Sequence, residues 1–342
     1  MEVYENGSQT INVINNVSDY QELNGILDKY FDFYSPTSTQ APSLKKFWLQ
    51  AFFRHYGASR RLAITVVFEN NIPKLILPLQ IKGNDCLEFL CDETSDYNDF
   101  LYYDSDRVAL KYAMKFWTSR GIRKFHFHRL PCDSKTIDYL CTIATENGWK
   151  ISITDCDLIP VVNTETDEPI QSWKGVKSQR IIRYQRKEKA LARIYDVSFY
   201  LIKDRLQLHS EFPNIKKIHI GRWNSIGINS KYSDTRRERF ILDVCEEAIK
   251  CNSLFLPIMK INGSLASFII GFRSGDTIFD WNTSFSNDFY KWSPGALLLL
   301  NLLSNSRVYG FTKYNFLRGV EEHKFIWTNT IEKNLSCFID IV

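Results

Sequence analysis

Several features that would settle this chain's class at once are missing from it. No apolar stretch approaches the roughly 20 residues of a membrane-spanning helix. The longest, Ala296 to Leu300 and on through Asn301 to Leu303, stops far short. No charge dominates: 43 Lys and Arg face 39 Asp and Glu, a net +4, well below the footprint of a dedicated DNA or RNA binder. Cysteines 86, 91, 132, 141, 156, 245, 251 and 337 form no CxxC pair and have no histidine at zinc spacing, which argues against a metal centre. No Ser/His/Asp or Cys/His set has the spacing of a nucleophilic triad. The acidic, polar start shows no signal-peptide pattern. Reduced thiols and a soluble, cytoplasmic protein are therefore expected, with no membrane span and no metal.

What remains is an ordinary globular composition, 44% hydrophobic and 24% charged over 342 residues. At about 150 residues per domain this length suggests two domains. Residues 1 to about 15 are polar and are expected to fray. A Ser-capped helix is expected over Val17–Leu23, and a second from Ser43 to Tyr56. Residues 62–68 and 74–79 read as a hairpin around Asn70-Asn71, and Leu87–Leu90 as a short strand before the acidic loop Asp92–Asp99. Helices are expected at Arg107–Arg120, ended by Gly121, and at Thr136–Asn147, ended by Gly148; Phe125–His128 and Ile151–Val162 are extended.

The second half repeats the rhythm. A basic helix over Lys174–Arg193 leads into a strand ending at Tyr200, and Arg237–Lys250 is another helix. A hairpin turns at Asn262-Gly263, a favoured type I′ pair. Thr277–Asn282 reads as a strand, Pro294–Ser304 as a helix and Lys313–Phe316 as a strand. An internal duplication of an α/β unit is expected, with domains at 1–165 and 166–342.

Chemistry concentrates in the last fifth. Ser293-Pro294-Gly295 opens a helix: proline at the first turn loses no needed N–H, and glycine lets a ligand approach the backbone. The free N–H groups and the dipole suit a phosphate, although many ordinary packing helices begin the same way. Arg318, His323 and Lys324 follow the next strand, where fixed charge can stabilise an oxyanion; a solvated loop containing Glu321 and Glu322 is the equal alternative. Asp280, Glu321, Glu322, Asp92, Asp96 and Asp99 are candidate bases. Lys177, Arg180, Arg183, Arg186, Lys187, Lys189 and Arg193 read as a solvated helix face, with contact to an anionic ligand as the lesser reading.

Taken in order, Asp280-Trp281, Ser293-Pro294-Gly295, Leu297–Leu300, Gly310, Tyr314-Asn315-Phe316, Arg318-Gly319, Glu321 and Lys324-Phe325 resemble the CelD-like acetyltransferases of the GNAT superfamily, relatives of the FemAB peptidyltransferases. Leu87–Leu90 with Asp96–Phe100 fits that family's first half, and Trp173, Ser178, Arg183 and Arg186 fit its basic helix. Asn315 stands where the family has Asp, His323 where it has Tyr, and the GNAT phosphate loop is absent. The resemblance implies an α/β (α+β) fold of two tandem GNAT-like acyl-CoA N-acyltransferase domains, with mixed, mainly antiparallel sheets flanked by helices. It implies transfer from acetyl-CoA or another acyl-CoA to a small-molecule amine or amino sugar, in polysaccharide or cell-envelope biosynthesis. Lys324, Asp280 and Glu321 would be catalytic; Ser293, Pro294, Gly295 and Arg318 would hold the donor; Asp96, Tyr97 and Trp281 would hold the substrate. The alternatives are FemAB-like transfer from aminoacyl-tRNA and a non-catalytic partner in polysaccharide assembly. DNA is not expected as a partner.

Overall fold

The structure, a computed structural model, describes residues 2–6, 9–15, 21, 24–25, 28, 41–103, 107–164 and 168–341. The chain divides into two units, Met1–Asp157 with Lys333–Val342, and Leu158–Glu332. The expected boundary at 165/166 thus lies inside the second unit, and the last ten residues return to the first.

In the first unit, β1 (Glu2–Asn6) and β2 (Gln9–Ile14) join β3 (Ile64–Glu69) and β4 (Ile72–Leu77) after α1 (Lys46–Tyr56). The expectation that residues 1–15 fray is wrong. Ile11 and Ile14 are fully buried and β2 pairs antiparallel with β3, so alternating apolar residues hold the polar segment in the sheet. Of the helix expected at 17–23 only Gln21 lies among the described residues, and it is helical. Asn70 and Asn71 turn the β3–β4 hairpin with φ of 52° and 62°, as a type I′ turn requires.

A second sheet follows from β5 (Leu79–Lys82) and β6 (Cys86–Phe89); a short β7 (Leu101–Tyr102) pairs with β4. α2 (Arg107–Ser119) then crosses to β8 (Lys124–Pro131), parallel to β6, and α3 (Lys135–Asn147) leads into the long β9 (Lys150–Asn163). Ser134 caps α3 and Gly148 ends it in the left-handed conformation. Leu87, Phe89, Phe100, Leu110, Phe125 and Phe127 form the centre of this unit's core.

The second unit begins with α4 (Ser178–Ala192), four residues later than its sequence suggests, and β10 (Val197–Ile202). α5 (Arg205–Asn224), with Pro213 inside it, is a helix the sequence reading passed over. α6 (Thr235–Lys250), β11 (Leu254–Ile261), β12 (Ser264–Ser274) and β13 (Thr277–Phe285) follow, then α7 (Pro294–Ser304) and β14 (Lys313–Asn315). Strands β10 to β13 are antiparallel neighbours in sequence order. β14 lies parallel to β13 and antiparallel to the end of β9. The last strand, β15 (Ile331–Asp340), also not expected, pairs with β8 in the first unit.

α5 packs on β12 and β13, while α7 packs on α4 and on the same strands. α7 is apolar around its whole circumference, and Leu297, Leu298 and Leu302 are fully buried, so it is a core helix. At about 1.5–3 kcal/mol per buried leucine, its first turn is fixed firmly against the sheet.

β13 carries a bulge. Ile270 faces Asn282 and Gly271 faces Asp280, leaving Trp281 without an opposite number. Gly271 makes this fit, because a Cβ there would lie 2.7 Å from the Phe279 carbonyl oxygen. Gly271→Ala should therefore cost about 1–3 kcal/mol, the usual penalty of overpacking, measured by urea unfolding. An unchanged midpoint would show that the bulge does not need the glycine.

Candidate functional site

β13, α7 and β14 form a strand–helix–strand crossover with parallel strands, and ligands of such units bind beyond the carboxyl ends of the strands. Here those ends separate. The β13–β14 pairing covers Thr277–Phe279 against Lys313–Asn315. Beyond it, β13 continues to Phe285 against β12. The chain after β14 stays with β9 instead: Phe316 N donates to Pro160 O at 3.0 Å and Gly319 N to Leu158 O at 3.0 Å. Asp280, Trp281, Ser293–Gly295 and Arg318–Lys324 all leave this parted edge.

At the helix end, Ser293 adopts φ 58° and its side chain does not cap α7. Its Oγ instead accepts from Lys187 Nζ at 2.8 Å, which also donates to Lys291 O at 2.7 Å. Both acceptors are neutral. Partial burial, with the charge of Arg183, holds the Lys187 pKa below the ordinary lysine value. A cation facing only neutral acceptors beside a helix N-terminus is an anion-ready arrangement. A Cβ on Gly295 would meet only ordinary contacts, Phe285 Cδ1 at 3.5 Å and Ser267 Oγ at 3.8 Å. Packing does not demand glycine there. Arg180, Arg183 and Arg186 are exposed and form no ion pair among the described residues.

Asp280 stands where the strands part. Its Oδ2 accepts from Tyr314 OH at 2.9 Å and its Oδ1 from Thr283 Oγ1 at 2.9 Å. Desolvation raises its pKa above the usual carboxylate value, opposed by those two hydrogen bonds and by the charges of Lys324 and His323. His323 is open to solvent, yet the protein around it disfavours its charged form and lowers its pKa, against the attraction of Asp280 and Glu321.

Lys324 is buried and clamps its own loop. Its Nζ donates to Arg318 O at 2.6 Å and pairs with Glu321 Oε2 at 2.9 Å. Desolvation acts to raise the Glu321 pKa, but the hydrogen bond and charge of Lys324 outweigh it and the net shift is downward. Asn315 supplies the turn that begins this loop: its Oδ1 accepts from Leu317 N at 2.8 Å, and Leu317 sits at φ 55°. An amide oxygen thus fills the acceptor role that a carboxylate could fill, without charge. Gly319, at φ 119°, occupies a conformation that side chains avoid.

The remaining candidates are placed differently. Trp281 packs its ring on Phe272 and Phe240 at 5.5 and 6.2 Å, with Lys231 Nζ 5.4 Å from its centroid. Asp96 and Tyr97 belong to the first unit. Tyr97 is buried and its carbonyl accepts from Ser43 Oγ, while Asp96 O accepts from Asn334 Nδ2. Tyr97, expected to hold substrate, is thus a buried residue of the first unit. Asp99 is also buried. It is held by Ser134 Oγ, Thr136 Oγ1 and Phe100 N, with desolvation raising its pKa to about 6 despite those bonds. Asp92 pairs with Arg129 at 2.7 Å. Both acids anchor the loop to its own unit.

Sequence reasoning missed His219, Tyr232 and Asn282, which form a buried polar seam behind β13. Their partnership spans distant segments, so no local spacing could have announced it. Among the described residues, no group of three or more His, Cys, Asp or Glu is placed to hold a metal, and no helix is long and apolar enough to cross a membrane.

Residues 178–325 match the family described as Acetyltransferase (GNAT) domain. No curated protein matches the chain. Among solved structures, FemX aligns with a TM-score of 0.64 at 10% identity, over 93% of this chain and 96% of that one. L-PGS from Bacillus licheniformis gives 0.57 at 12%, over 95% and 93%. A conserved protein of unknown function from Bacteroides thetaiotaomicron gives 0.58 at 13%, over 96% and 99%. The chain is therefore similar in fold to FemX across nearly its whole length, and its second unit carries the match to the GNAT acetyltransferase domain.

Proposed function

We propose that the second unit transfers an acyl group from acetyl-CoA or another acyl-CoA to the amine of a small molecule or amino sugar. The observation that carries this reading is the parted β13–β14 edge, with the N-terminus of α7 and Lys187 at one end. Main-chain groups freed along a strand edge can pair with the amides of an extended chain, and the pantetheine arm of CoA is such a chain. Ser293, Pro294, Gly295 and Lys187 would receive the pyrophosphate, with Arg318 at the facing loop.

In the reaction the acceptor nitrogen forms the new C–N bond as the C–S bond breaks. Asp280 takes the proton lost by the nitrogen and returns it to the departing thiolate. Its raised pKa suits a base. Lys324, with Glu321, fixes the loop and places positive charge near Asp280, where it would favour a developing oxyanion. Trp281 would border the acceptor. A reducing, cytoplasmic setting fits the eight free thiols.

The exposed cations of α4 favour one second reading, FemAB-like transfer from aminoacyl-tRNA. The two readings part on binding. Acetyl-CoA at 100 times its Kd should stabilise the protein by about 2.7 kcal/mol, seen as a higher Tm. No shift with several acyl-CoAs, together with a salt-sensitive gel shift of charged tRNA, would select the second reading.

Two substitutions test the roles. Lys187→Ala should weaken acetyl-CoA binding about 10- to 100-fold, the loss of one charge-assisted hydrogen bond; calorimetry showing unchanged affinity would remove Lys187 from the donor site. Asp280→Asn should lower kcat by about 10²–10⁴. A base works only when ionised, so wild-type kcat should fall as pH drops through the raised Asp280 pKa. That acid limb should disappear from what activity remains, and a variant that keeps it would assign the base elsewhere.

A further inference from the structure

A regular strand sends alternate residues to opposite faces, so Asp280 and Asn282 would share a face and Asp280 and Thr283 could not meet. The bulge at Trp281 reverses this. Asp280 bonds to Thr283 and to Tyr314, which packs in the core beneath α7. Asn282 reaches the other way, its Nδ2 donating to Tyr232 OH at 3.0 Å. Asp280 therefore faces its present partners only while the bulge stays where it is.

We propose that a buried chain of Ser230, His219, Tyr232 and Asn282 locks that bulge, making His219 and Tyr232 positioning residues for Asp280. This rests on the acyl-transfer reading only for its catalytic consequence. Ser230 Oγ accepts from Tyr232 N at 3.1 Å and lies 2.8 Å from His219 Nδ1. The Ser230 proton can then go to Nδ1, a tautomer assigned from the network that leaves the His219 proton on Nε2.

The His219 ring is 1% exposed, stacks on Trp223 at 5.6 Å and meets Tyr232 at 4.6 Å. It thereby holds Tyr232 from one side while Phe212, 5.9 Å away, holds it from another. Desolvation and the charge of Lys231 push the His219 pKa down to about 3, with Asn282 opposing, so the imidazole is neutral at working pH. Among the described residues Ser284 Oγ has no hydrogen-bond partner, and His219 Nε2 has none of good geometry although Asn282 lies close enough to act on its ring. An apolar core would avoid that cost, whereas a polar chain specifies one arrangement of the strand.

The test is structural first. Tyr232→Phe removes only the hydroxyl that Asn282 uses, and His219→Phe removes the ring's polar link. Crystal structures of both should show the bulge displaced and the Asp280–Tyr314 bond broken. A bulge unchanged in both would overturn the lock, whether or not the protein transfers acyl groups. Kinetics then test its consequence. In Tyr232→Phe, kcat should fall at least tenfold while the Kd for acetyl-CoA holds within twofold, and His219→Gln should keep more activity than His219→Phe. A displaced bulge with wild-type kcat would overturn the positioning role. Wild-type protein that neither binds nor uses acyl-CoA would overturn the acyl-transfer reading, leaving the lock to be judged on the structures.

Discussion

For three residue pairs the strands β13 and β14 are bonded side by side, and then each keeps a different neighbour. Beyond those pairs β13 runs on with β12 and the chain after β14 with β9, each bonded on its far edge while the two facing edges are no longer paired with each other. Main-chain groups along such an edge need partners. The helix joining the two strands must begin beside the gap, because the crossover starts at the end of β13. α7 cannot move away from it, since its leucines are buried around the whole helix. One mismatch of pairing thus brings together a strand edge, a helix N-terminus and a carboxylate.

Charge is distributed along this gap by the same geometry. Lys187, on a neighbouring helix, donates to two neutral oxygens just before the start of α7. Deeper in, Asp280 is desolvated but keeps two hydroxyl donors, and Lys324 is tied to the carbonyl of Arg318. Among the described residues the cation of Lys187 forms no ion pair, whereas that of Lys324 is paired with Glu321. The first suits an incoming anion. The second fixes a loop and adds a field at Asp280.

Much of the fold could be read from the sequence where the determining chemistry is local. Asn70-Asn71 and Asn262-Gly263 identified their hairpins because a type I′ turn needs those residues whatever surrounds it, and Pro294 marked the start of α7. β2 and β15 were not legible, since their partners β3 and β8 lie far away in sequence and only pairing orders them. α5 was hidden by Pro213 and by mixed polarity on its faces. At the site, Asp280, Ser293 and Lys324 were within reach of motif reasoning. The bulge was not, because it is a property of two strands together; nor was the seam from His219 to Asn282, whose members come from three separate segments. Lys187 stood out only as one cation among several until its acceptors were known.

A crystal structure of the protein with CoA decides whether the parted edge receives the donor. The pyrophosphate should lie on the main-chain N–H groups of the first turn of α7, within hydrogen-bonding reach of Lys187, with the pantetheine arm between β13 and the chain that follows β14. CoA bound elsewhere on the second unit, with that gap empty, would contradict it.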